Sequence, residues 1–233
     1  MSKIVLLGDL HGNLPATLAM EKELERIRPD EIWFIGDAVG KGPESDKTCD
    51  WVRTHCDHYI GGNWDYWIAE RECAENVFYY EQLGDERMNW LQGLPAETEL
   101  LISGVHFRVF HGRPVTPLFQ GFDDKDKLES YLTKDEKHYD GFICADSHRS
   151  YQRVLTNGYA INTGSVGNSL GVVRAHALLL EGEKDCVEAA PFSITNICVP
   201  YDNELSADIA RHCPALPNAE AYIKEVLTGI YSR

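Results

Sequence analysis

The sequence has few basic side chains, and this shortage limits the partners that it can bind. Lysine and arginine together number 22, against 37 aspartates and glutamates, so the 233 residues carry a formal net charge of −15 at pH 7. A surface of this charge repels polyanions, which excludes long nucleic acids as partners. A small phosphorylated substrate is compatible with it, because cations held in a pocket reverse the local field.

Long apolar runs and closely spaced cysteines are also missing. No uninterrupted apolar stretch is long enough to span a bilayer, and the first apolar run ends at Asp9, too early for an export signal. The seven cysteines include no Cys-x-x-Cys pair, and their odd number cannot close a complete disulfide framework. We therefore expect a cytoplasmic protein that does not contact membranes.

The order of apolar segments predicts an α/β fold. Short apolar runs at 4–8, 31–36 and 59–60 alternate with helical patterns that begin at Asn13 and span 44–56. Such a βαβαβ opening implies right-handed crossovers and parallel strands. The length fits a single domain over residues 1–233, without a linker.

The second half of the chain has a different pattern of apolar segments. Short turns separate apolar runs, which predicts a second, largely antiparallel sheet from strands at 99–103, 105–110, 141–145, 151–155, 159–162, 172–180 and 185–189. Two helices within 203–230 are expected to pack on the same domain. The first of them has Leu205, Ile209 and Cys213 on one face, and we expect that face to be buried.

Polar side chains with metal-binding groups occur at the ends of five predicted strands, close to glycines: Asp9, His11, Asp37, Asn63, His111, Asp146 and His148. The carboxyl ends of strands form the ligand crevice of open α/β sheets, so five loops can direct these groups to one point. Asp9 and His11 can hold one ion together, and His148 can join them. The two oxygens of Asp37 can bridge to a second ion about 3.5 to 4 Å away, which Asn63 and His111 would face.

Six short motifs follow one another along the chain: GDLHG at 8–12, GDAVGKGP at 36–43, GNWD at 62–65, HG at 111–112, ADSH at 145–148 and NTGS at 162–165. Together they resemble the calcineurin-like metallophosphoesterase family, with the likeness spanning residues 3–202. The segment 199–202 and the C-terminal helices look like the bacterial branch that contains phosphodiesterases and dinucleotide-polyphosphate hydrolases. The resemblance implies a four-layer α/β/β/α sandwich of two mixed sheets.

The resemblance also implies two metal sites. It assigns Asp9, His11, Asp37 and His148 to one ion, and Asp37, Asn63, His111 and residue 146 to the other. Asp146 stands where the family usually has the first histidine of GHxH. Because a carboxylate oxygen favours a harder ion, we expect two divalent ions, with Mn²⁺ as the first choice and Mg²⁺, Fe²⁺ and Zn²⁺ as alternatives.

A second departure from the family pattern affects the leaving group. Trp64 stands where many relatives have the histidine of GNHD, and an indole does not protonate a departing alkoxide at neutral pH. The proton donor is therefore unassigned. Trp64 and Trp67 either stack on a nucleobase or pack in the core. Arg113 and Arg149 are placed to clamp phosphate oxygens, and Asn63 and Trp64 complete the expected substrate-binding set.

These residues predict hydrolysis of a small phosphodiester or nucleotide-type phosphate ester by a hydroxide that bridges two ions and is held at Asp37. Two alternatives stay open. A catalytically impaired member that binds a nucleotide or a protein partner would account for Trp64 and Asp146. A serine/threonine protein phosphatase would share the same metal centre.

Overall fold

The computed structural model describes residues 1–232, and its first third alternates strands with helices as predicted. The elements are β1 (Ser2–Leu7), α1 (Leu14–Ile27), β2 (Glu31–Ile35), α2 (Ser45–His55) and β3 (His58–Ile60). Asn13 caps α1, since its side-chain oxygen accepts a hydrogen bond from the Ala16 backbone nitrogen at 3.2 Å.

The remaining elements follow in a less regular order. They are α3 (Asn63–Ala69), a 3₁₀ turn (Ala74–Asn76), α4 (Val77–Gln92), β4 (Glu97–Ile102), β5 (Val105–Phe110), α5 (Lys125–Ser130), β6 (Thr133–Lys134), β7 (Lys137–His138), β8 (Gly141–Cys144), β9 (Tyr151–Val154), β10 (Tyr159–Asn162), β11 (Ala175–Gly182), β12 (Ser193–Val199), α6 (Asn203–Arg211) and α7 (Ala219–Thr228).

Two five-stranded sheets form the centre of the fold, and both are mixed. The first has the order β12-β11-β1-β2-β3, in which β1, β2 and β3 are parallel and β11 is antiparallel to both of its neighbours. The second has the order β4-β5-β8-β10-β9, with β5, β8 and β10 parallel and the two edge strands antiparallel. The expected α/β architecture with two mixed sheets is confirmed.

The predicted second sheet is present, but the prediction that it is largely antiparallel was wrong, and so was the assignment of the strand at 172–180 to it. The late strands β11 and β12 extend the first sheet, where Leu178 pairs with Leu6 and Leu180 pairs with Ile4. β1 is an apolar strand buried on both faces, so the backbone groups along its edges need hydrogen-bonding partners. β11 supplies those partners along one edge of β1. The strand predicted at 185–189 was also wrong, because this segment is a turn whose Cys186 carbonyl accepts a hydrogen bond from Gly104.

Alternation along β1 shows how the layers are stacked. Ile4 and Leu6 point between the sheets, where they join Val109 and Ile143 of the second sheet in one core. Val5 and Leu7 point to the other face, into the core formed with α1, α2, α4, α6 and α7. The far face of the second sheet packs its aromatic residues against α5. These cores give the order α/β/β/α.

The buried face of α6 differs from the predicted one. Leu205 is 47% exposed, and the helix buries Ser206, Ala207 and Ala210 instead. Small side chains allow α6 to lie close to α1, and the Ser206 hydroxyl donates a hydrogen bond to the Asn13 side chain at 2.8 Å. The close packing of small side chains thus determines which face of α6 is buried, and the spacing of its larger apolar residues does not.

Within residues 1–232, no helix combines the length and the apolar character that crossing a bilayer requires.

The core between the sheets should dominate stability. Phe107 is fully buried there, with its ring 6.4 Å from the rings of Tyr159 and Phe192. We expect Phe107→Ala to lower the free energy of unfolding by about 3–5 kcal/mol, because it removes apolar contacts and leaves a cavity. Urea denaturation measures this, with the exposed Val154→Ala as control. A loss below about 1 kcal/mol would contradict the assignment of this core.

Candidate metal centre

Every residue of the predicted metal site lies just beyond the carboxyl end of a parallel strand. Asp9 and His11 follow β1, Asp37 follows β2, Asn63 opens α3 after β3, His111 follows β5, and Asp146 and His148 follow β8. The first three strands belong to one sheet and the last two to the other. The site therefore sits where the two sheets present their carboxyl ends together.

Five of these residues have a backbone in the left-handed region. Their φ angles are 53° for Asp9, 48° for His11, 61° for Asp37, 59° for Asp146 and 57° for His148. Non-glycine residues adopt this region rarely, although aspartate and histidine do so more readily than most. Each such residue costs on the order of 1–3 kcal/mol, and such strain concentrates at functional sites.

A first cluster of ligand atoms surrounds Asp9 Oδ1. This oxygen lies 3.4 Å from His11 Nε2 and 3.2 Å from His148 Nε2, and the two nitrogens are 3.2 Å apart. Ligands that bind one ion with bonds of about 2.1 Å lie roughly 3.0–3.4 Å from one another. The three side chains can therefore hold one ion.

A second cluster shares the Asp9 carboxylate. His111 Nε2 lies 3.7 Å from Asp9 Oδ1 and 3.3 Å from Asp37 Oδ2. Asp37 Oδ2 is also 3.6 Å from His11 Nε2, so this oxygen faces both clusters. The bridging role of Asp37 itself stays a prediction. The distances also bring Asp9 to the second cluster, whereas the resemblance placed it with the first ion only.

Backbone carbonyls orient all three imidazoles. Each histidine places Nδ1 against a carbonyl oxygen: His11 against Val39 at 3.1 Å, His111 against Ile35 at 2.8 Å, and His148 against Asn168 at 2.6 Å. Since a carbonyl oxygen only accepts, Nδ1 carries the proton. Nε2 of each ring is then the atom available to a metal ion.

Several buried ligand atoms have no hydrogen-bond partner among residues 1–232. They include both carboxylate oxygens of Asp9, His111 Nε2 and Asn63 Oδ1. A buried polar atom without a partner is costly, and a bound cation removes that cost. The donor set therefore fits divalent metal ions. The amide oxygen of Asn63 is one of these atoms, and its role as a metal ligand stays a prediction.

Buried charges set the protonation of the site. Burial opposes ionisation of Asp9, but the charges of His148 and His111 outweigh it and hold the pKa well below its usual range. Burial likewise opposes ionisation of Asp37, and His111 outweighs it, so that pKa is also lowered. Burial and the nearby Lys41 ammonium lower the pKa of His11 to about 4. Burial would lower the pKa of His111 too, but Asp37 and Asp9 outweigh it and raise that pKa well above its usual value.

Asp65 ties together the loops that carry Asp37 and Asn63. Its carboxylate accepts hydrogen bonds from the backbone nitrogens of Asp37 at 2.7 Å, Ala38 at 2.9 Å and Gly62 at 3.0 Å. Burial, and then the charge of Asp37, raise the pKa of Asp65 to about 7. A Cβ at Gly62 would lie 2.2 Å from Asp37 Oδ1, so glycine is required there. In the GNWD motif, Asp65 thus holds two ligand loops together and Asn63 is a candidate ligand.

The NTGS motif braces the two sheets against each other. The Asn162 side chain donates to the Ala145 carbonyl at 2.5 Å and holds the loop before His148. The Ser165 hydroxyl donates to the Asp9 carbonyl at 2.8 Å and holds the loop after β1. The motif therefore fixes the distance between ligands from different sheets.

Asp146 lies outside both ligand clusters within the described chain. Its Oδ1 accepts from Arg113 Nη2 at 2.6 Å, and its Oδ2 accepts from Arg113 Nε at 3.0 Å and from the Arg113 backbone nitrogen at 3.0 Å. The structure thus brings Asp146 to Arg113, and a metal-binding role for Asp146 stays a prediction. These contacts use the Nε proton and one Nη2 proton of Arg113, which leaves the two Nη1 protons and the second Nη2 proton as donors for a phosphate.

The two tryptophans have different environments. Trp64 is partly buried, with its ring 6.0 Å from that of His11 at 84°, and a Cβ at Gly40 would lie 2.3 Å from it. Trp67 is 39% exposed, and its ring is 4.9 Å from Trp64. Both side chains line the cleft beside the site; Trp64 packs closely against its neighbours, and Trp67 is the more exposed of the two.

A cleft of about 490 Å³ adjoins the metal centre. Cationic side chains line part of it, namely Lys41, Arg113 and Arg149. Aromatic and apolar side chains line another part, namely Trp64, Trp67, Leu118, Leu170 and Tyr231. Arg149 thus lines the cleft, and its contact with a phosphate stays a prediction. A phosphate with an apolar or planar substituent matches this lining.

Lys41 was not among the predicted site residues. It is only 5% exposed, and its Nζ donates to the Asn168 side-chain oxygen at 3.0 Å and lies 3.4 Å from His148 Nε2. The available signal was its position in GDAVGKGP, four residues after Asp37. A lone lysine in a loop is ordinarily read as a surface residue.

Comparison with known proteins agrees with this geometry. Residues 2–185 match the model of the calcineurin-like phosphoesterase superfamily domain. The chain belongs to this family. An uncharacterised protein of Methanocaldococcus jannaschii is 24% identical over 229 residues, which cover 86% of this chain and 88% of that protein.

Two solved structures share the fold. A metallophosphoesterase from Sphaerobacter thermophilus superposes with a TM-score of 0.74 at 22% identity, over 98% of this chain and 99% of that one. A hypothetical protein from Pyrococcus horikoshii superposes with a TM-score of 0.79 at 20% identity, over the whole of both chains. The likeness covers both sheets and the C-terminal helices.

Metal binding should release a proton from His111. Because its pKa is raised, His111 is protonated at neutral pH and must lose a proton to offer Nε2 to a metal ion, whereas His11, with a pKa of about 4, is already neutral. We expect the apparent Mn²⁺ affinity to fall as pH falls below the His111 pKa, by up to about tenfold per pH unit. Calorimetry in buffers of different ionisation enthalpy counts the protons.

The exposed His138→Gln variant is the control and should release as many protons as the wild type, whereas His111→Asn should release one fewer. Affinity that does not change between pH 6 and pH 8 in the wild type would contradict this account of His111.

Proposed function

We propose that this protein hydrolyses small phosphodiesters or nucleotide-type phosphate esters with two divalent metal ions. The observation that carries the proposal is the pair of buried ligand clusters that share Asp9 and are both faced by Asp37 Oδ2. Two clusters with a common carboxylate are the arrangement that two-metal hydrolysis uses. When bound, such ions supply Lewis acidity and a hydroxide nucleophile, and they offset charge on the phosphoryl oxygens.

The chain's own residues have separate tasks in this proposal. Asp37 would contribute to both metal sites, because its Oδ2 faces both clusters while its Oδ1 accepts a hydrogen bond from the Trp64 backbone nitrogen at 2.8 Å. His11 and His148 complete the first site, and His111 and Asn63 complete the second. Carboxylate, amide and imidazole ligands favour Mn²⁺ as the resident ion.

The proposed substrate class follows from the cleft and from the residue at position 64. With tryptophan in the place of the usual histidine, an ester with a poor leaving group lacks the proton donor that the family pattern supplies. A nucleoside phosphate leaves more readily. The apolar lining around Trp67 gives a base or another planar group a surface to stack on, and the acidic exterior disfavours long nucleic acids.

A scaffold that only binds a partner is less well supported. Such a protein has no need of three imidazoles held in one tautomer or of five residues in a strained backbone conformation. A protein phosphatase requires a surface for a peptide, and the lining of the 490 Å³ cleft matches a small ester better.

Asp37 should be essential for turnover. We expect Asp37→Asn to reduce kcat for bis-p-nitrophenyl phosphate at least about 100-fold with Mn²⁺ present, because the charge that holds the two ions together is removed. The amide oxygen of asparagine still accepts from the Trp64 backbone nitrogen, so the loop is kept. Metal-stripped protein with Mn²⁺, Mg²⁺ or Zn²⁺ added back provides the assay.

The surface variant Asp50→Asn serves as the matched control, since Asp50 pairs with Arg87 away from the site. It should retain wild-type kcat. An Asp37→Asn protein that is folded and turns over at a near wild-type rate would overturn the proposed role of Asp37.

Trp67 should contribute to the binding of a base. We expect Trp67→Ala to raise KM for diadenosine tetraphosphate about tenfold and to change KM for inorganic tripolyphosphate little, because base stacking is worth about 1–3 kcal/mol and tripolyphosphate has a good leaving group but no base. Steady-state kinetics on both substrates give the comparison. The control is Phe122→Ala, at an aromatic residue that is 79% exposed and outside the cleft lining. Equal KM changes for the two substrates would argue against stacking.

A further inference from the structure

Lys41 is a cationic side chain buried at the edge of the first ligand cluster. Its Nζ contacts a neutral amide oxygen, that of Asn168, at 3.0 Å, and lies 3.4 Å from Nε2 of His148. It also lines the cleft, together with Arg113 and Arg149. This single side chain therefore borders both the metal centre and the space that a substrate would enter.

The backbone holds Lys41 in this position. Its φ is 58°, in the left-handed region that lysine seldom adopts. The flanking residues fix the turn: Gly42 donates to the His11 carbonyl at 2.9 Å, and Gly40 donates to the Ser45 hydroxyl at 3.0 Å. The loop that carries Lys41 is thus hydrogen-bonded directly to His11, a candidate metal ligand. The Lys41 ammonium is therefore already in position before a substrate binds.

A metal ion and the Lys41 ammonium compete for the same atom. His148 offers only Nε2, because its Nδ1 proton points to the Asn168 carbonyl. An ion bound by His148 would repel the ammonium 3.4 Å away from Nε2. A negatively charged oxygen that binds to the ion and also accepts a hydrogen bond from Nζ removes this repulsion.

We propose that Lys41 binds the phosphoryl group of the substrate, as a cation that acts beside the two metal ions. The inference rests on the proposed phosphoesterase function and adds a residue to it. Unlike the fork of Arg113, which is engaged by Asp146, the Lys41 ammonium reaches the first metal site directly. A phosphate oxygen at that site meets a charge-assisted donor, and the same contact stabilises the charge of the transferring group.

The test compares Lys41→Met, Lys41→Arg and the wild type, with Lys47→Met as matched control. Lys47 lies on the same segment but is exposed, where it pairs with Glu44. Metal content, binding of inorganic phosphate to Mn²⁺-loaded protein by calorimetry, and hydrolysis of bis-p-nitrophenyl phosphate are measured for each protein. Circular dichroism and thermal unfolding establish that the variants are folded.

We expect Lys41→Met to keep its metal content and to bind phosphate about 10–100-fold more weakly, the range for loss of a hydrogen bond to a charged group. Lys41→Arg should recover part of this loss, and Lys47→Met should match the wild type. Phosphate affinity within about twofold of the wild type in folded Lys41→Met would overturn the proposal. So would tighter metal binding with unchanged phosphate affinity, since Lys41 would then only balance charge among the ligands.

The phosphate measurement also separates this inference from the proposed function. A wild-type protein that binds phosphate through Lys41 but hydrolyses no ester would refute the proposed function and leave the Lys41 contact standing. A Mn²⁺-loaded wild-type protein that binds no phosphate would overturn the role of Lys41.

Discussion

Two buried carboxylates, Asp9 and Asp37, impose the main constraint on this protein. Both are almost completely shielded from solvent, yet both have pKa values held below their usual range and are therefore charged. Adjacent anions in the interior are unfavourable without a positive partner. His111 supplies part of that charge in the metal-free protein, and divalent ions would supply the rest. The site thus links folding of the ligand loops to metal binding.

The surrounding structure holds this unfavourable arrangement in place. Asp65 fastens the loops after β2 and β3, and the NTGS turn fastens those after β1 and β8. Five ligand-loop residues in left-handed conformations each cost on the order of 1–3 kcal/mol. The apolar core between the sheets offsets that cost, because strands buried on both faces fix the positions of the loops that they carry.

Much of the candidate site could be predicted from sequence, since its residues sit at strand ends and strand ends are marked by apolar runs that stop at glycine. Features that depend on contacts between residues far apart in the sequence could not be predicted. Nothing local to 175–182 indicates that β11 pairs with β1 rather than with the second sheet. The engagement of Asp146 by Arg113, 33 residues away, is likewise visible only in three dimensions. The burial of Lys41 could not be predicted either, because it depends on contacts made in the folded protein and the local sequence does not indicate it.

Charge at the cleft and charge on the exterior have opposite signs, and this contrast bears on substrate size. The exterior accounts for most of a formal net charge of −15, while Lys41, Arg113 and Arg149 line the cleft. Asp146 offsets Arg113, and Asp9 and Asp37 add two carboxylates at the metal centre, so Lys41 and Arg149 are the cations of the cleft that Asp146 does not offset. At physiological ionic strength the fields of such charges fade over about 8 Å. A small phosphate ester that enters the cleft meets the cations at short range, whereas a long polyanion must also lie along the acidic exterior, and this difference alone favours small substrates.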